Sequence, residues 1–555
     1  MNKLIRAVIV GSLLLTISAC SGDKGTTDNT EVPEVEVTVV EETVEEVIVE
    51  PEPEPEPKVV VPIFGGELRL AMSPAETLDP LENQVGNVEQ ILNLIYEPLF
   101  ELDETLSPKP VLVDSYEFTL EGRALVITLK EGVTFHDGTP LTANDVLYTI
   151  DRIKDNDLSP YNPVVRVIKR LSITDERTFT LYYDEPYAFA LNDLMFPIVS
   201  KAYYSSENYS EMVPLGTGAY QFVDYQDMQE MSLVANVNWH GGSTYVEKIH
   251  VIVMNETTNM ETLFDQHLID LMNPSKFNWL KYSEKEDQTI TSYVTNYYDF
   301  IGFNFNNELL QSNDLRIALS LAINREAILY NQFIDHATIA TTPVIPGSWF
   351  YTPMEEMEAF SLDIAMAQLD ELAYVDGDND GFYDVVDVLD TTKYNKIEFV
   401  MLVNGSSSIR TSVAPLIERY IEALGFEVKV DIVDSASYYE RVALGDFDLL
   451  YGGWKLSSKP DYISLFSTEG SQNYFGYSSE EMDLTLQSIV STTDQEIIKQ
   501  RVEDFEALFK KSSAYAKFEY ENLANNIMAE KELNLKIGTH VMCIANVDLQ
   551  SEKQI

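Results

Sequence analysis

Two rhythms of apolar and polar residues run along most of this chain. In "ELRLAM" (67–72) and "RALVITLKEG" (123–132) apolar positions alternate, which predicts short strands. In "NVEQILNLIYEPLF" (87–100) they recur at helical spacing. Residues 133–153, "VTFHDGTPLTANDVLYTIDRI", combine a turn at Asp137-Gly138 with a helix whose Val146, Ile150 and Ile153 share one face. Thr142 is its expected N-cap, with Asp145 as the acidic capping-box partner. Further along, "KIEFVMLVNGSSSI" predicts a strand and loop, "APLIERYIEAL" a helix stopped by Gly425, and "FEVKVDIVD" a second strand. Together they predict a βαβ unit with parallel strands, hence an α/β fold. "SYYERVAL" predicts another helix and "DFDLLYGGW" (446–454) another strand. Ligands of open α/β sheets sit beyond the carboxyl ends of the strands, which makes Asn404 and Trp454 candidates for one crevice.

The first 64 residues follow neither rhythm. "MNKLIRAVIVGSLLLTISAC" has Lys3 and Arg6, an apolar run and small residues before Cys20, the form of a signal peptide over 1–20. Its ending, Ile17-Ser18-Ala19-Cys20, resembles a bacterial lipobox, which implies cleavage before Cys20 and acylation of that cysteine. Each buried methylene of such a chain contributes roughly 0.8 kcal/mol to membrane binding. Residues 21–64 are acidic, of low complexity and end in a Pro-Glu repeat, which predicts a disordered, extended stalk.

A length of 555 residues is enough for two or three packed units. The chain carries 91 acidic and 37 basic residues, a net charge of −54. Only 13 of those acids and 4 of the bases precede residue 66, so the folded body is itself strongly acidic. Such a surface repels nucleic acid and bare anionic lipid and suits a protein working outside the cell. Two cysteines, Cys20 and Cys543, give no disulfide framework. Six scattered histidines offer no transition-metal spacing. The pair His136-Asp137 has the form of a base and its orienter, but no nucleophile elbow accompanies it, and it reads as the turn feeding the next helix.

Several blocks, taken in order, resemble the family 5 extracellular solute-binding proteins, which serve ABC importers of peptides and nickel. They are "GGELRLAM…TLDP", "LIYEPLFELDE", "ITLKEGVTFHDGTPLTANDVLYTIDRI", "VPLGTGAYQFVDYQ", "NVNWHGG", "YYDFIGFNFNN" with "NDLRIALSLAINREAI", "GDFDLLYGGW" and "NYFGYSSEEMDLTL". They span about residues 65–535. The resemblance implies a periplasmic-binding-protein type II fold: two lobes, a hinge, and a subdomain inserted in lobe one. By similarity lobe one covers 65–105 and 213–301, the insertion 106–212, lobe two 302–520, and 521–555 returns to lobe one.

Function follows from the same resemblance. The expected protein is a lipid-anchored component of an ABC importer that closes on an oligopeptide or dipeptide and passes it to the permease subunits, without catalysis and with no required cofactor. The alternatives are a binder of a metal chelate or oligosaccharide, and a ligand sensor or adhesion lipoprotein. In peptide-binding relatives an extended ligand pairs with backbone on both lobes. The matching positions here are Gln84, Val85 and Gly86 on one side, and Tyr451, Gly453, Trp454 and Lys455 on the other, with Asn404 nearby. Those relatives often carry an aspartate three residues beyond the tryptophan, facing the peptide amine. Here Ser457 stands there, and Asp461 is the next carboxylate.

One further motif lies where many members of that family have a short Asp/Gly loop, whose plain reading is a solvated acidic turn. "DGDNDGFYDVVD" (376–387) has the spacing of an EF-hand-like calcium loop. Its ligands would be Asp376, Asp378, Asp380, the Phe382 carbonyl, Asp384 and Asp387, with Gly381 at the sharp turn.

Overall fold

The computed structural model describes residues 64–529, except 256–258, 274–279, 284–287, 334–336, 354–359, 373, 387–392, 513–514 and 517–520. The leader, nearly all of the stalk, Cys20, Asp387 and Cys543 lie outside the described residues.

In chain order the elements that position the crevice are β1 (Glu67–Met72), α1 (Gly86–Leu92), β2 (Val113–Thr119), β3 (Ala124–Leu129), α2 (Ala143–Lys154), β4 (Arg170–Ile173) and β5 (Thr178–Tyr182). There follow β6 (Tyr220–Gln226), β7 (Glu230–Ala235), β8 (Lys248–Val253), β9 (Gln288–Val294), β10 (Tyr297–Phe303) and β11 (Glu398–Asn404). The chain continues with α3 (Ser408–Glu422), β12 (Glu427–Val433), α4 (Ser435–Leu444), β13 (Leu449–Lys455), α5 (Glu480–Val490), α6 (Gln495–Ser512), β14 (Tyr515–Ala516) and β15 (Glu521–Ala529).

The first sheet has the order β1-β8-β7-β6, with β1 parallel to β8. Residues between β1 and β6 form a separate antiparallel sheet, β2-β3-β5-β4. The two sheets share one core, in which Leu70 and Val251 belong to the same cluster as Leu125 and Phe179. The second sheet has the order β12-β11-β13-β10-β14. Its β11, α3 and β12 form the expected parallel βαβ unit. β11 is buried on both faces: Phe399, Met401 and Val403 enter one core, Leu402 the other. The expected boundary at 301/302 falls inside β10, which pairs with β13 along its whole length from Tyr297. A third sheet joins Leu271–Met272 and β9 to β15.

The helix expected over 87–100 ends at Leu92. Beyond it the backbone has better partners across the core: Leu94 and Ile95 carbonyls accept from Tyr220 and Gly218 amides at 3.0 and 2.8 Å. Side chains could not allow that approach, because a Cβ on Gly216 or Gly218 would lie 2.1 and 2.6 Å from those carbonyl oxygens. The helix after the His-Asp turn forms as expected. Asp145 Oδ2 accepts from the Thr142 amide at 2.9 Å and its hydroxyl at 2.8 Å, closing the cap.

Candidate ligand crevice

β13 outruns its neighbour. Its pairing with β11 ends at Val403↔Tyr451, whereas its pairing with β10 continues to Tyr297↔Lys455. Gly452, Gly453, Trp454 and Lys455 therefore present a main-chain edge on the side that β11 has left. Two glycines are there for packing reasons. A Cβ on Gly453 would lie 2.2 Å from Asp299 Oδ1 and 2.3 Å from Arg410 Nη2; one on Gly452 would lie 3.1 Å from the Tyr438 hydroxyl. Arg410 and Asp299 form a 2.7 Å ion pair, each side chain under 15% exposed, beneath this strip. Burial opposes the charge on the Arg410 guanidinium, but the adjacent Asp299 carboxylate outweighs it and keeps the group protonated.

Trp454 is half-buried. Its ring packs on Phe300 (centroids 4.0 Å apart), stacks at 8° on Tyr298, and meets Phe466 edge-on. Tyr451 is fully buried in the opposite core, so it supports the strand rather than lining the crevice. Asn404, 1% exposed, uses its side-chain oxygen on the Ser406 amide and the Ser406 and Ser435 hydroxyls, tying the α3 approach to the start of α4. Lys455 and Ser457 are exposed, the latter accepting from the Lys459 amide at 3.2 Å. Asp461 caps the next turn at Ile463 N.

The other strip borders the first core: Gln84 is exposed, and Val85 and Gly86 are half-buried. Gln84 Nε2 donates to the Leu158 carbonyl at 3.0 Å. Val85 is already bonded on both sides: its amide donates to Asn83 Oδ1 (3.3 Å), and its carbonyl accepts from Asn83 Nδ2, Val88 N and Glu89 N. Gly86 opens α1.

Sequence reasoning missed a contact between residues 187–193 and the loop after β13. Lys459, in the loop after β13, places Nζ 2.8 Å from Asp193 Oδ1, and the Tyr187 hydroxyl donates to Asp193 Oδ2. Phe189, 2% exposed, enters the aromatic core that holds Tyr298, Phe300 and Tyr462. Burial and the nearby Asp193 and Asp461 push the Tyr187 phenol well above its usual range, so it stays a donor. Nothing in the local sequence marks Asp193, because its partner lies 266 residues away.

His136 and Asp137 are not a catalytic dyad. His136 Nε2 meets the Gly218 carbonyl at 3.0 Å, which fixes that nitrogen as the donor. Burial lowers its pKa despite that carbonyl and Glu97. Asp137 Oδ1 instead accepts from Thr139 N and Oγ1 at 2.9 and 2.7 Å.

The acidic loop gathers fewer ligands than expected. Oxygens of Asp376, Asp378 and Asp384 lie within 4.8 Å of one another. Asp380 turns to Lys396 at 3.1 Å and to the Phe382 amide. The Phe382 ring lies against the Lys396 ammonium, 4.4 Å from its centroid.

The sequence profile of the bacterial extracellular solute-binding proteins, family 5 (middle region), matches residues 107–476. The chain belongs to this family. Among curated relatives, the oligopeptide-binding protein AppA of Bacillus subtilis is 26% identical over 492 residues, covering 85% of this chain and 88% of the relative. The glutathione-binding protein GsiB of Pectobacterium atrosepticum is 24% identical, covering 76% and 81%. Among solved structures, the AppA of Bacillus subtilis bound to a nonapeptide superposes with a TM-score of 0.61 at 23% identity, covering 88% of this chain and 99% of that one. The unliganded, open murein tripeptide-binding protein MppA gives 0.74 at 18%, covering 84% and 94%. The fold is thus the two-lobed type II periplasmic-binding-protein fold. As a family 5 member the chain is a solute-binding protein of the ABC-importer class and not an enzyme. Among the described residues no helix is long and apolar enough to cross a membrane.

Proposed function

We propose that this protein captures short peptides between its lobes and hands them to an ABC permease, while acylated Cys20 and the acidic stalk hold it on the membrane surface. In this reading lobe two begins at β10, and residues 106–212 are an insertion in lobe one. The observation that carries the reading is the stretch of β13 at 452–455 that runs on past its pairing with β11. An extended peptide laid there gains main-chain hydrogen bonds that do not depend on its side chains. Trp454 supplies an aromatic wall beside that edge. Val85 contributes as a packed support for the facing lobe, since its own amide and carbonyl are occupied. The oligopeptide-binding relative AppA supports the same ligand class.

The test is calorimetric titration with tetra-alanine and with depsipeptides in which one amide is replaced by an ester. Each ester removes an N–H donor, and a donor paired with the β13 edge contributes about 1 kcal/mol, so affinity should fall roughly fivefold at that position. Equal affinity for every ester position, or tight binding of a nickel–histidine chelate and no peptide, would replace this reading with the chelate alternative.

We further propose a structural calcium site on the 376–387 loop, formed by Asp376, Asp378 and Asp384. The Asp384 Oδ1 atom is buried without a hydrogen-bond partner, which supports it. Calcium at 1 mM should raise the melting temperature of the protein but not of Asp384→Asn. An identical response in both would remove calcium from the account.

A further inference from the structure

Asp193 is a carboxylate with a cation lent to it by the loop after β13. Its side chain is 5% exposed, and it has two partners of different kinds. One is local: Tyr187, six residues earlier, donates its hydroxyl to Oδ2. The other is distant: Lys459 reaches in from the loop after β13 and places its ammonium 2.8 Å from Oδ1 and 5.6 Å from the centre of the Phe189 ring. A carboxylate this deeply buried needs a positive charge beside it. Lys459 is a replaceable source. Its side chain is 22% exposed, on a loop whose neighbouring main-chain bonds are the Lys459 amide to Ser457 Oγ and the Asp461 amide to the Lys459 carbonyl.

Beside the pair lies a cavity of about 440 Å³, within the size range of ligand pockets. It shares Tyr187 and Phe189 with the Asp193 site, and Gln487 and Val490 of α5 form its far wall. Two further carboxylates, Glu185 and Asp461, line it, so it attracts cations. The loop itself has Ser457 where a carboxylate was expected, and offers a cation two residues later. Asp193, on the segment facing that loop, is a buried carboxylate already holding an ammonium at this place.

The geometry points to Asp193 as the cation-recognition residue of this pocket, with Lys459 as its internal placeholder. A ligand bearing a primary ammonium group displaces Lys459 and takes its position between Asp193 Oδ1 and the Phe189 ring. No bond is made or broken; one ammonium replaces another, and the released lysine returns to water. The inference rests on the proposed capture of peptides, and the ammonium is either the peptide N-terminus or a lysine side chain.

Calorimetric titration of the purified protein, Lys459→Met, Asp193→Asn and the double variant tests it. The probes are tetra-alanine, N-acetyl-tetra-alanine, N-acetyl-Ala-Lys-Ala and cadaverine. Without its internal competitor, Lys459→Met should bind ammonium-bearing probes about tenfold tighter, while N-acetyl-tetra-alanine changes less than about twofold. Asp193→Asn, alone or in the double variant, should lose that preference, since the amide keeps the Tyr187 contact but not the charge. A gain confined to tetra-alanine identifies the N-terminus, and a gain confined to N-acetyl-Ala-Lys-Ala identifies a side chain. If every variant treats free and acetylated peptides alike, the pair is a structural clasp and the inference falls. If no peptide binds any variant, the peptide reading fails separately. Cadaverine then decides: binding to Lys459→Met that is lost in the double variant upholds the cation site, and its absence overturns it.

Discussion

Glu97 shows at a single residue what the recurring blocks of this sequence are for. Its carboxylate, 1% exposed, accepts from Trp239 Nε1 at 2.9 Å and Thr217 Oγ1 at 2.8 Å, and lies 3.0 Å from His240 Nε2. Glu97 comes from "LIYEPLF", Thr217 from "GTGAY", and Trp239 and His240 from "NVNWHGG"; each block looks arbitrary alone and they meet at one buried charge. The capping box at Thr142 was legible because both partners lie within one turn of helix. The Glu97 site was not, because its partners are more than a hundred residues away. Glu506 of α6 is a second buried acid, bonded to the Thr342 hydroxyl through one oxygen, while Oε2 is buried without a partner. Burial pushes its pKa up to about 7 from 4.5, with the Thr342 bond opposing. A raised acid favours the folded state below its unfolded pKa, and that advantage is lost as pH rises from about 4.5 through about 7. Glu506→Gln should therefore be more stable than the parent at pH 8, by at most roughly 3 kcal/mol, and little different at pH 4.5. Melting curves at the two pH values check this, and parallel pH dependence of the two proteins would show that folding leaves the Glu506 carboxyl unshifted.

At the scale of elements, the α/β unit of β11, α3, β12, α4 and β13 was readable almost throughout. The strands match their apolar runs, whereas α3 begins at Ser408, six residues before the expected helix, in the stretch read as loop; Gly425 and Gly445 close the two helices with positive φ of 103° and 67°. What the pattern could not give is where pairing stops. The edge at 452–455 runs past β11 because β11 ends at Asn404 before the chain enters α3, and strand register is a tertiary property. The same limit explains the shortened α1, whose continuing apolar rhythm served cross-chain pairing to 216–220 rather than more helix. Gly453 links the edge to the packing beneath it. Gly453→Ala should force Arg410 away from Asp299 and leave two buried charges apart, a loss of roughly 3 kcal/mol. Urea unfolding measures it, and a change under 0.5 kcal/mol would mean that the strip can shift to make room.

At the scale of the whole molecule, the order of the motif blocks carried the fold, while the crevice was only partly legible. The pattern singled out the strand end at Trp454 and the loop at Gln84, but not the ion pair of Lys459 and Asp193. Charge acts at this scale too. A net charge of −54 spread over body and stalk gives mutual repulsion with an anionic lipid surface, so a covalent anchor is needed for retention there. If Cys20 is acylated, the protein expressed in a bacterium should partition into the detergent phase of Triton X-114, and Cys20→Ser should move it to the aqueous phase. Equal partitioning of both forms would leave the leader as an ordinary secretion signal.

The two links between the halves lie side by side. The chain enters the second sheet on β10 and leaves it on β14, and these strands are paired at Ile301↔Ala516 and Gly302↔Tyr515. Before and after that sheet, β9 and β15 are likewise paired, from Gln288↔Ala529 to Val294↔Leu523. Twin straps fixed along one jamb resist twisting and sliding far more than they resist bending. In the proposed two-lobe reading, the motion these straps oppose least is a swing about that line, like a door, and a guest held far from it gains the most leverage over whether the door stays shut.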